Sequence, residues 1–207
     1  MKKQLILIFS LLIFSLNSKA QDETKFYKIL FAYADSLSKT GQKGIVSKEI
    51  YGIIENLDKN HPSGFFEKSG ELINEGKFNE ASLVFYIGYF RYRYFNLANP
   101  DYKPSEDGAL LSSLKSIMQE PINLFLRTDI DNFIKILENC KEWLTKNDYS
   151  YFSKNKDIQK YSGQLTQVDD LIKDFSIDKI KFQAQWAKEQ IEYLKLIDPE
   201  NKLNPKK

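Results

Sequence analysis

Residues 65–95 read FFEKSGELINEGKFNEASLVFYIGYFRYRYF, and their pattern decides the fold of this chain. Apolar residues recur at steps of three and four on both sides of Gly76, which is the spacing of amphipathic helices. Glycine tolerates a positive φ and can therefore end the first helix. Pro62 suits the first turn of that helix, because its missing N–H has no intrahelical partner there. The stretch predicts two antiparallel helices that are joined at Gly76 and Lys77.

The segment 62–95 resembles a tetratricopeptide repeat. The turn Gly-Lys-Phe-Asn-Glu-Ala at 76–81 is the most specific part of the match. The matching positions outside that turn are Phe65, Ser69, Leu72, Phe85 and Gly88. Lys68 and Arg93 depart from the family pattern, which has an apolar residue and a proline near these places. Because no second copy follows at that period, the resemblance implies one repeat-like hairpin inside a larger helical domain and not a tandem array.

The first twenty residues predict a cleaved signal peptide. Residues 1–3 form a short basic start, 5–16 form an apolar run, and Ser18 and Ala20 have the spacing that signal peptidase requires. The run is about twelve residues long, whereas about twenty are needed to span a bilayer. We therefore expect cleavage after Ala20, a periplasmic or secreted mature protein, and no membrane span in that protein.

Removal of this segment changes the charge of the chain. Three of the 30 basic residues lie in it, so the mature chain has 27 basic and 28 acidic residues. A nearly neutral chain does not support a nucleic-acid-binding surface. Residues 21–197 have a length that suits a single domain with a sizeable core, and 198–207 form a polar tail.

The mature chain predicts an all-α fold. Apolar residues repeat at helical spacing, and no alternating run of β-branched residues bounded by turns is present. About eight helices are expected, packed as antiparallel pairs, with no sheet. Pro121 is expected to separate a helix over about 107–119 from a short piece at 122–126.

Three helix boundaries are predicted in the second half of the chain. Thr128, with Asp131 three residues later, resembles a capping box. Residues 147–162 have no clear period, so the next helix is expected to begin at Gln164 or Thr166. The last helix is expected over about 176–197, and the apolar residues on one face of it are Ile180, Ala184, Ala187, Ile191 and Leu194.

Residues with catalytic or metal-binding chemistry are sparse. His61 is the only histidine, so a Ser–His–Asp or Cys–His triad would have to use it. It precedes Pro62 at a helix start, where a polar cap or an exposed ring is expected. Cys140 is the only cysteine and lies on a predicted buried face, which favours an inert thiol over an intermolecular disulfide. A structural zinc site needs about four Cys or His ligands, and this chain has one of each. We therefore predict no catalytic, cofactor-binding or metal-binding residues.

Three pairs of carboxylates are close in sequence. A glycosidase needs two carboxylates about 5–9 Å apart across its sugar site, and proximity in sequence does not establish that separation. We expect Asp129 with Asp131 and Asp169 with Asp170 at helix starts, where acidic residues interact favourably with the helix dipole. Glu189 with Glu192 is expected on the solvated face of the last helix.

The unusual patch is residues 85–95, in which seven of eleven residues are aromatic and two are arginine. Tyrosine and arginine carry much of the binding energy at protein interfaces. The candidate partner-binding residues are Tyr86, Tyr89, Arg91, Arg93 and Tyr94. If they bind a partner, Tyr86, Tyr89 and Arg93 should be at least partly exposed. Alternatively, the arginines stack on tyrosines inside the fold or pair with a buried acid.

These features predict an exported, non-enzymatic helical protein that binds another protein. One alternative is a periplasmic immunity protein that occludes a delivered toxin, and it rests on analogy of fold. A second alternative is a hydrolase of cell wall or sugars that uses carboxylates alone.

Overall fold

The computed structural model describes residues 25–197, without the side chains of 193, 196 and 197, and this part of the chain is all-helical. The predicted fold class is confirmed, with eight α-helices and no strand among the described residues. The helices are α1 (25–40), α2 (Glu49–Leu57), α3 (Ser63–Asn74), α4 (Phe78–Ala98), α5 (Ala109–Leu126), α6 (Ile130–Lys146), α7 (Ile158–Ile177) and α8 (Lys179–Ile197). A π-helical turn at Pro104–Gly108 precedes α5, and a 3₁₀ turn at Lys154–Lys156 precedes α7. The expected signal peptide (1–20) and polar tail (198–207) lie outside the described residues.

Helices α3 and α4 form the antiparallel pair predicted around Gly76. Gly76 has a φ of 74°, a conformation that L side chains rarely adopt. The Ser69 hydroxyl donates a hydrogen bond of 2.9 Å to the carbonyl of Ala81, which joins the two helices near the turn. Farther along, a Cβ at Gly88 would lie 2.2 Å from the Cβ of Phe65. The absence of a side chain at Gly88 therefore lets the two helix axes approach closely.

Helix α4 is the centre of the molecule. Helices α3, α5, α6 and α7 all pack against it, and most of its side chains are buried. A helix that is apolar on all sides is expected to be enclosed in this way. The aromatic sequence of 85–95 therefore supplies core contacts in several directions, including edge-to-face contacts of Phe85 with Phe66 and of Tyr94 with Tyr161.

Helix α5 runs without interruption through Pro121, so the predicted break at this residue is wrong. Proline has no N–H and cannot bond the carbonyl four residues earlier. The helix nevertheless continues because the residues around the proline are held by burial, with α3 and α4 packed against them. The buried side chains are Met118, Ile122, Phe125 and Leu126. Tertiary packing here overrides the local preference of the sequence.

The start of α6 also differs from the prediction. Asp129, and not Thr128, is the N-cap, and its carboxylate accepts hydrogen bonds of 2.9 and 3.0 Å from the N–H groups of Asp131 and Asn132. The Thr128 hydroxyl instead donates to the carbonyl of Phe125, at the end of the preceding helix. A carboxylate at the N-cap accepts hydrogen bonds from two otherwise unpaired N–H groups, and its negative charge is attracted to the positive end of the helix dipole.

Helices α7 and α8 complete the fold. Helix α7 begins at Ile158, earlier than predicted, because the Asp157 carboxylate caps it by accepting the Lys160 N–H at 3.0 Å. Among the side chains of α8 that the structure describes, Trp186 is buried, and it packs against Phe133 and Phe175. Of the apolar face predicted for α8, Leu194 is partly buried against the core, whereas Ile180, Ala184, Ala187 and Ile191 are exposed.

Candidate functional site

The five candidate residues lie in different environments of α4. Tyr86 is 8% exposed, and Arg91 and Tyr94 are fully buried. The expected exposure of Tyr86 is therefore wrong, and the burial of Arg91 and Tyr94 removes them from the surface as well. The reason is that four helices surround α4. Tyr89 and Arg93 are half-buried and reach the surface.

Arg91 forms a buried ion pair with Asp58, which follows α2. The Arg91 Nε donates to Asp58 Oδ1 at 3.0 Å and Nη2 donates to Oδ2 at 3.2 Å, which gives a bidentate geometry. Burial raises the pKa of Asp58, whereas the Arg91 guanidinium and the indole N–H of Trp143 act in the opposite direction. A buried charge needs a partner of this kind, because its desolvation is otherwise very costly.

The remaining polar groups of this pair are also satisfied. The Trp143 N–H donates to Asp58 Oδ2 at 3.0 Å, and Arg91 donates to the Tyr161 hydroxyl and the Asn147 carbonyl. Tyr161 in turn donates to the carbonyl of Leu144 at 2.6 Å. Burial raises the pKa of Tyr161 to about 12, so its hydroxyl remains a donor at neutral pH. The network connects the end of α2 with α4, α6 and α7, and its donors from Arg91 are directed to groups inside the fold.

Tyr86 and Tyr94 make hydrogen bonds inside the fold too. The Tyr86 hydroxyl donates to Asn123 Oδ1 at 3.3 Å. The Tyr94 hydroxyl donates to the Ser153 carbonyl at 2.9 Å and accepts the Asp157 N–H at 3.2 Å, just before α7. Burial is the largest cause of the raised pKa of both tyrosines. Each phenol therefore ties α4 to a neighbouring segment.

Tyr89 and Arg93 line an open groove of about 300 Å³ between α4 and α7. The Arg93 guanidinium carbon lies 5.5 Å from the Tyr89 ring centroid, and the ammonium of Lys115 lies 5.4 Å from the same centroid. Such distances favour cation–π attraction. From α7, the groove is lined by Gln167, Asp170, Leu171 and Asp174.

The charged groups of this groove are not paired with one another. Within the part of the chain that the structure describes, no ion pair within 4.0 Å involves Arg93, Asp170 or Asp174. Arg93 donates a long hydrogen bond of 3.5 Å to the Tyr89 hydroxyl, in addition to its contact with the ring. Among the described residues, the groove thus brings together one cation and two anions that form no ion pair, beside the Tyr89 ring.

His61 lies between a serine and an aspartate. Its Nδ1 is 3.0 Å from the Ser63 hydroxyl, and its Nε2 is 3.1 Å from Asp107 Oδ1, which also accepts from the Tyr92 hydroxyl at 3.3 Å. The Ser63 N–H points to the same Nδ1 at 3.3 Å. The imidazole therefore accepts a hydrogen bond from the first N–H of α3, which agrees with the predicted polar cap. Its contact with Asp107 also joins the start of α3 to the π-helical turn.

Asp129 and Asp131 lie at the start of α6, as predicted, whereas the expected helix start at Asp169 and Asp170 is wrong, because α7 begins at Ile158 and both residues lie inside it. Asp129 caps α6 and pairs with Lys43 at 2.9 Å, and Asp131 pairs with Lys43 and Lys179. The hydrogen bond from Lys179 is the largest cause of a lowered pKa at Asp131. Asp169 pairs with Lys141 at 2.5 Å, and Glu189 pairs with Arg127 at 3.0 Å.

Cys140 is fully buried, as predicted, and burial raises the pKa of its thiol. Among the described residues, no group of three or more His, Cys, Asp or Glu side chains could hold a metal ion. The helices between 25 and 197 include none that is both long and apolar enough to cross a membrane.

Two parts of this arrangement were missed from the sequence. Asp58 follows Ile50 and Ile54 at steps of four, so an acid on the apolar stripe of α2 was the available signal for a buried cation partner. The contribution of Asp170 and Asp174 to the groove had no comparable signal, because it depends on how α7 packs across α4.

No family model matches the chain, and comparisons with curated proteins and with solved structures find no significant match.

Proposed function

We propose that this chain is an exported, non-enzymatic protein that binds another protein through the groove between α4 and α7. The observation that carries the proposal is the exposure of Tyr89 and Arg93 at the groove, with the charge of Arg93 left unpaired in the described part of the chain. They are the two candidate residues that reach the surface, and Arg93 has no carboxylate partner within 4.0 Å among the described residues. Tyrosine and arginine at a partly enclosed site are the residue types that dominate binding energy at interfaces.

The charges of the groove define what would bind there. Arg93 would pair with a carboxylate of the partner, and Asp170 and Asp174 would pair with its basic side chains. Tyr89 would supply apolar contact area between these charges. A protein surface or peptide with both signs of charge meets these requirements.

The test compares capture of a partner by two versions of the mature chain. The protein that begins at Gln21 is immobilised and exposed to the periplasmic fraction of its source organism. We expect a specific partner to be captured by the unaltered chain and lost with Tyr89→Ala combined with Arg93→Ala. A truncated central tyrosine or arginine can cost about 2 kcal/mol or more in affinity.

A matched control separates the groove from a general loss of charge. Arg127→Ala also removes an arginine that lies over an aromatic ring, at 5.9 Å from the Trp186 centroid, but outside this groove. Capture should survive in that variant. Equal capture by all three proteins, with unchanged helical content, would contradict the proposal. A captured partner that proves to be a delivered toxin would narrow the function to immunity.

A further inference from the structure

Helix α8 presents an apolar face to solvent. Ile180 is 83% exposed and Ile191 is 54% exposed, and Ala184 and Ala187 between them are exposed as well. These four residues, which we call the α8 stripe, follow one another at steps of four, three and four. Trp186, on another side of the helix, packs on the core. Leu194 follows the stripe by three residues and is partly buried against the core, whereas the four residues of the stripe itself face solvent.

The spacing of the α8 stripe is that of a helix that pairs with another helix. Steps of three and four place the residues at the inner positions of a seven-residue repeat. The two alanines lie in the middle and allow a second helix to approach closely, while the isoleucines give apolar area at both ends. A membrane surface is less suited to the stripe, because interfacial helices bury bulky residues such as Trp, Phe and Leu.

Positive charges along one edge of the stripe indicate the charge that a partner helix should carry. Lys181, Lys188 and Lys195 recur every seven residues at the position that flanks the inner residues of such a repeat. No carboxylate in the described part of the chain pairs with any of the three within 4.0 Å. The edge is therefore a row of lysines that have no ion-pair partner in the fold.

A second copy of α8 would not supply carboxylates to pair with these lysines. Two α8 helices packed antiparallel would place lysine opposite lysine, which is repulsive. Packed parallel, they would place the lysines opposite Gln183 and Gln190, without forming an ion pair. A helix with acidic residues at the flanking positions would pair with all three.

We propose that the α8 stripe is a docking surface for an amphipathic α-helix of a partner protein, with apolar inner positions flanked by Glu or Asp. The surface shares no residue with the groove of Tyr89 and Arg93. The inference rests on the proposed function only in that the occupant is a protein, and the two surfaces are tested separately.

The test uses two synthetic helical probes of about three heptads, with the same apolar inner positions. The acidic probe carries Glu at the flanking positions, and the basic probe carries Lys. Each is labelled and titrated with the mature chain, and binding is followed by fluorescence anisotropy. We expect the acidic probe to bind at least about ten-fold more tightly than the basic probe, and its affinity to fall as the salt concentration rises.

Three variants locate the binding. Ile180→Asp combined with Ile191→Asp should abolish binding of the acidic probe, and both residues are exposed enough for the fold to be kept. The control is Ile158→Asp, which alters an isoleucine that is 67% exposed at the start of α7 and should leave binding intact. Replacement of Lys181, Lys188 and Lys195 by Glu should reverse the preference, so that the basic probe binds more tightly.

Several results would overturn the proposal. They are equal binding of the two probes, binding of neither, or binding that survives Ile180→Asp with Ile191→Asp. Concentration-dependent dimerisation that these substitutions remove would assign the stripe to a second copy. Binding to vesicles of anionic lipid that the same substitutions remove would assign it to a membrane. Because Tyr89 and Arg93 are unchanged in these proteins, none of these results bears on the groove.

Discussion

Arg91 and Asp58 each depend on the other. Both side chains are almost completely enclosed, with exposures of 0% and 3%, and each satisfies the other's charge. A buried pair of this kind adds little compared with well-packed apolar side chains, but the loss of one partner leaves an uncompensated charge in the core. The effects of replacing the two residues should therefore not be additive, because the double substitution leaves no unpaired charge in the core.

We expect Arg91→Met or Asp58→Leu alone to lower the free energy of unfolding by about 3–5 kcal/mol. The double variant should lose clearly less than the sum of the two single losses, because no unpaired charge remains. Guanidinium denaturation followed by circular dichroism measures all three. Arg127→Ala removes an exposed pair with Glu189 and should cost less than about 1 kcal/mol. Additive losses in the double variant would contradict this account.

The residue types of the candidate site could be predicted from the sequence, but their exposure could not. The aromatic and arginine residues of 85–95 suggested both a partner surface and a core with a buried acid. Which of these applies to Arg91 depends on Asp58, which is 33 positions away in the chain. Local spacing places Tyr86 and Tyr89 on one side of a helix, and it does not determine that four other helices cover most of α4.

Individual helices were predicted best where their own sequence determines them. The pairing of α3 and α4 follows from the apolar spacing on both sides of Gly76. The continuity of α5 could not be predicted in the same way, because Pro121 is a local signal to stop and the packing of Phe125 and its neighbours is not local. The face of α8 that packs on the core was equally hidden, because Trp186 lies outside the longer apolar repeat.

The close approach of α3 and α4 can be tested at Gly88. A Cβ added there would lie 2.2 Å from the Cβ of Phe65, so Gly88→Ala must push the helices apart. We expect a loss of about 1–3 kcal/mol in the free energy of unfolding, the usual range for overpacking a core.

Gly163→Ala provides the matched control for Gly88→Ala. Gly163 lies within α7, and a Cβ there would meet nothing within 4 Å. Alanine should stabilise this helix by about 0.5–1 kcal/mol, because glycine loses more backbone entropy on folding. A loss of stability at both positions, measured by urea denaturation, would show that the contact with Phe65 is not the cause.

The proline inside α5 should weaken the helix that contains it. Pro121→Ala restores an N–H that can bond the carbonyl of Ile117, so we expect the melting temperature to rise. The gain should be smaller than the roughly 3 kcal/mol by which proline and alanine differ in a helix interior, because proline also limits the unfolded chain. A lower melting temperature would mean that the surrounding packing requires the proline ring.

At the scale of the whole molecule, residues 25–197 form one hydrophobic core around α4. The core includes side chains from α1 to α8, so the described part of the chain behaves as a single unit of packing.

Export can be tested on the expressed chain. The basic start, the short apolar run and the spacing of Ser18 and Ala20 predict cleavage after Ala20. Mass spectrometry of the protein from the periplasmic fraction should therefore find Gln21 at the N-terminus. Replacement of Ala20 by Leu should block processing, because signal peptidase requires a small residue there. An intact Met1 in the membrane fraction of the unaltered protein would contradict the prediction.

Because Cys140 is buried, the reactivity of its thiol can report on opening of the fold. A single thiol that is 0% exposed cannot meet a water-soluble alkylating reagent until α6 separates from its neighbours. The alkylation rate therefore counts opening events in a population that is otherwise native. It should rise in Gly88→Ala and fall or stay unchanged in Gly163→Ala. In an oxidising compartment, the same openings would allow Cys140 of two chains to form a disulfide. The stability of the core therefore also determines how long this thiol stays free.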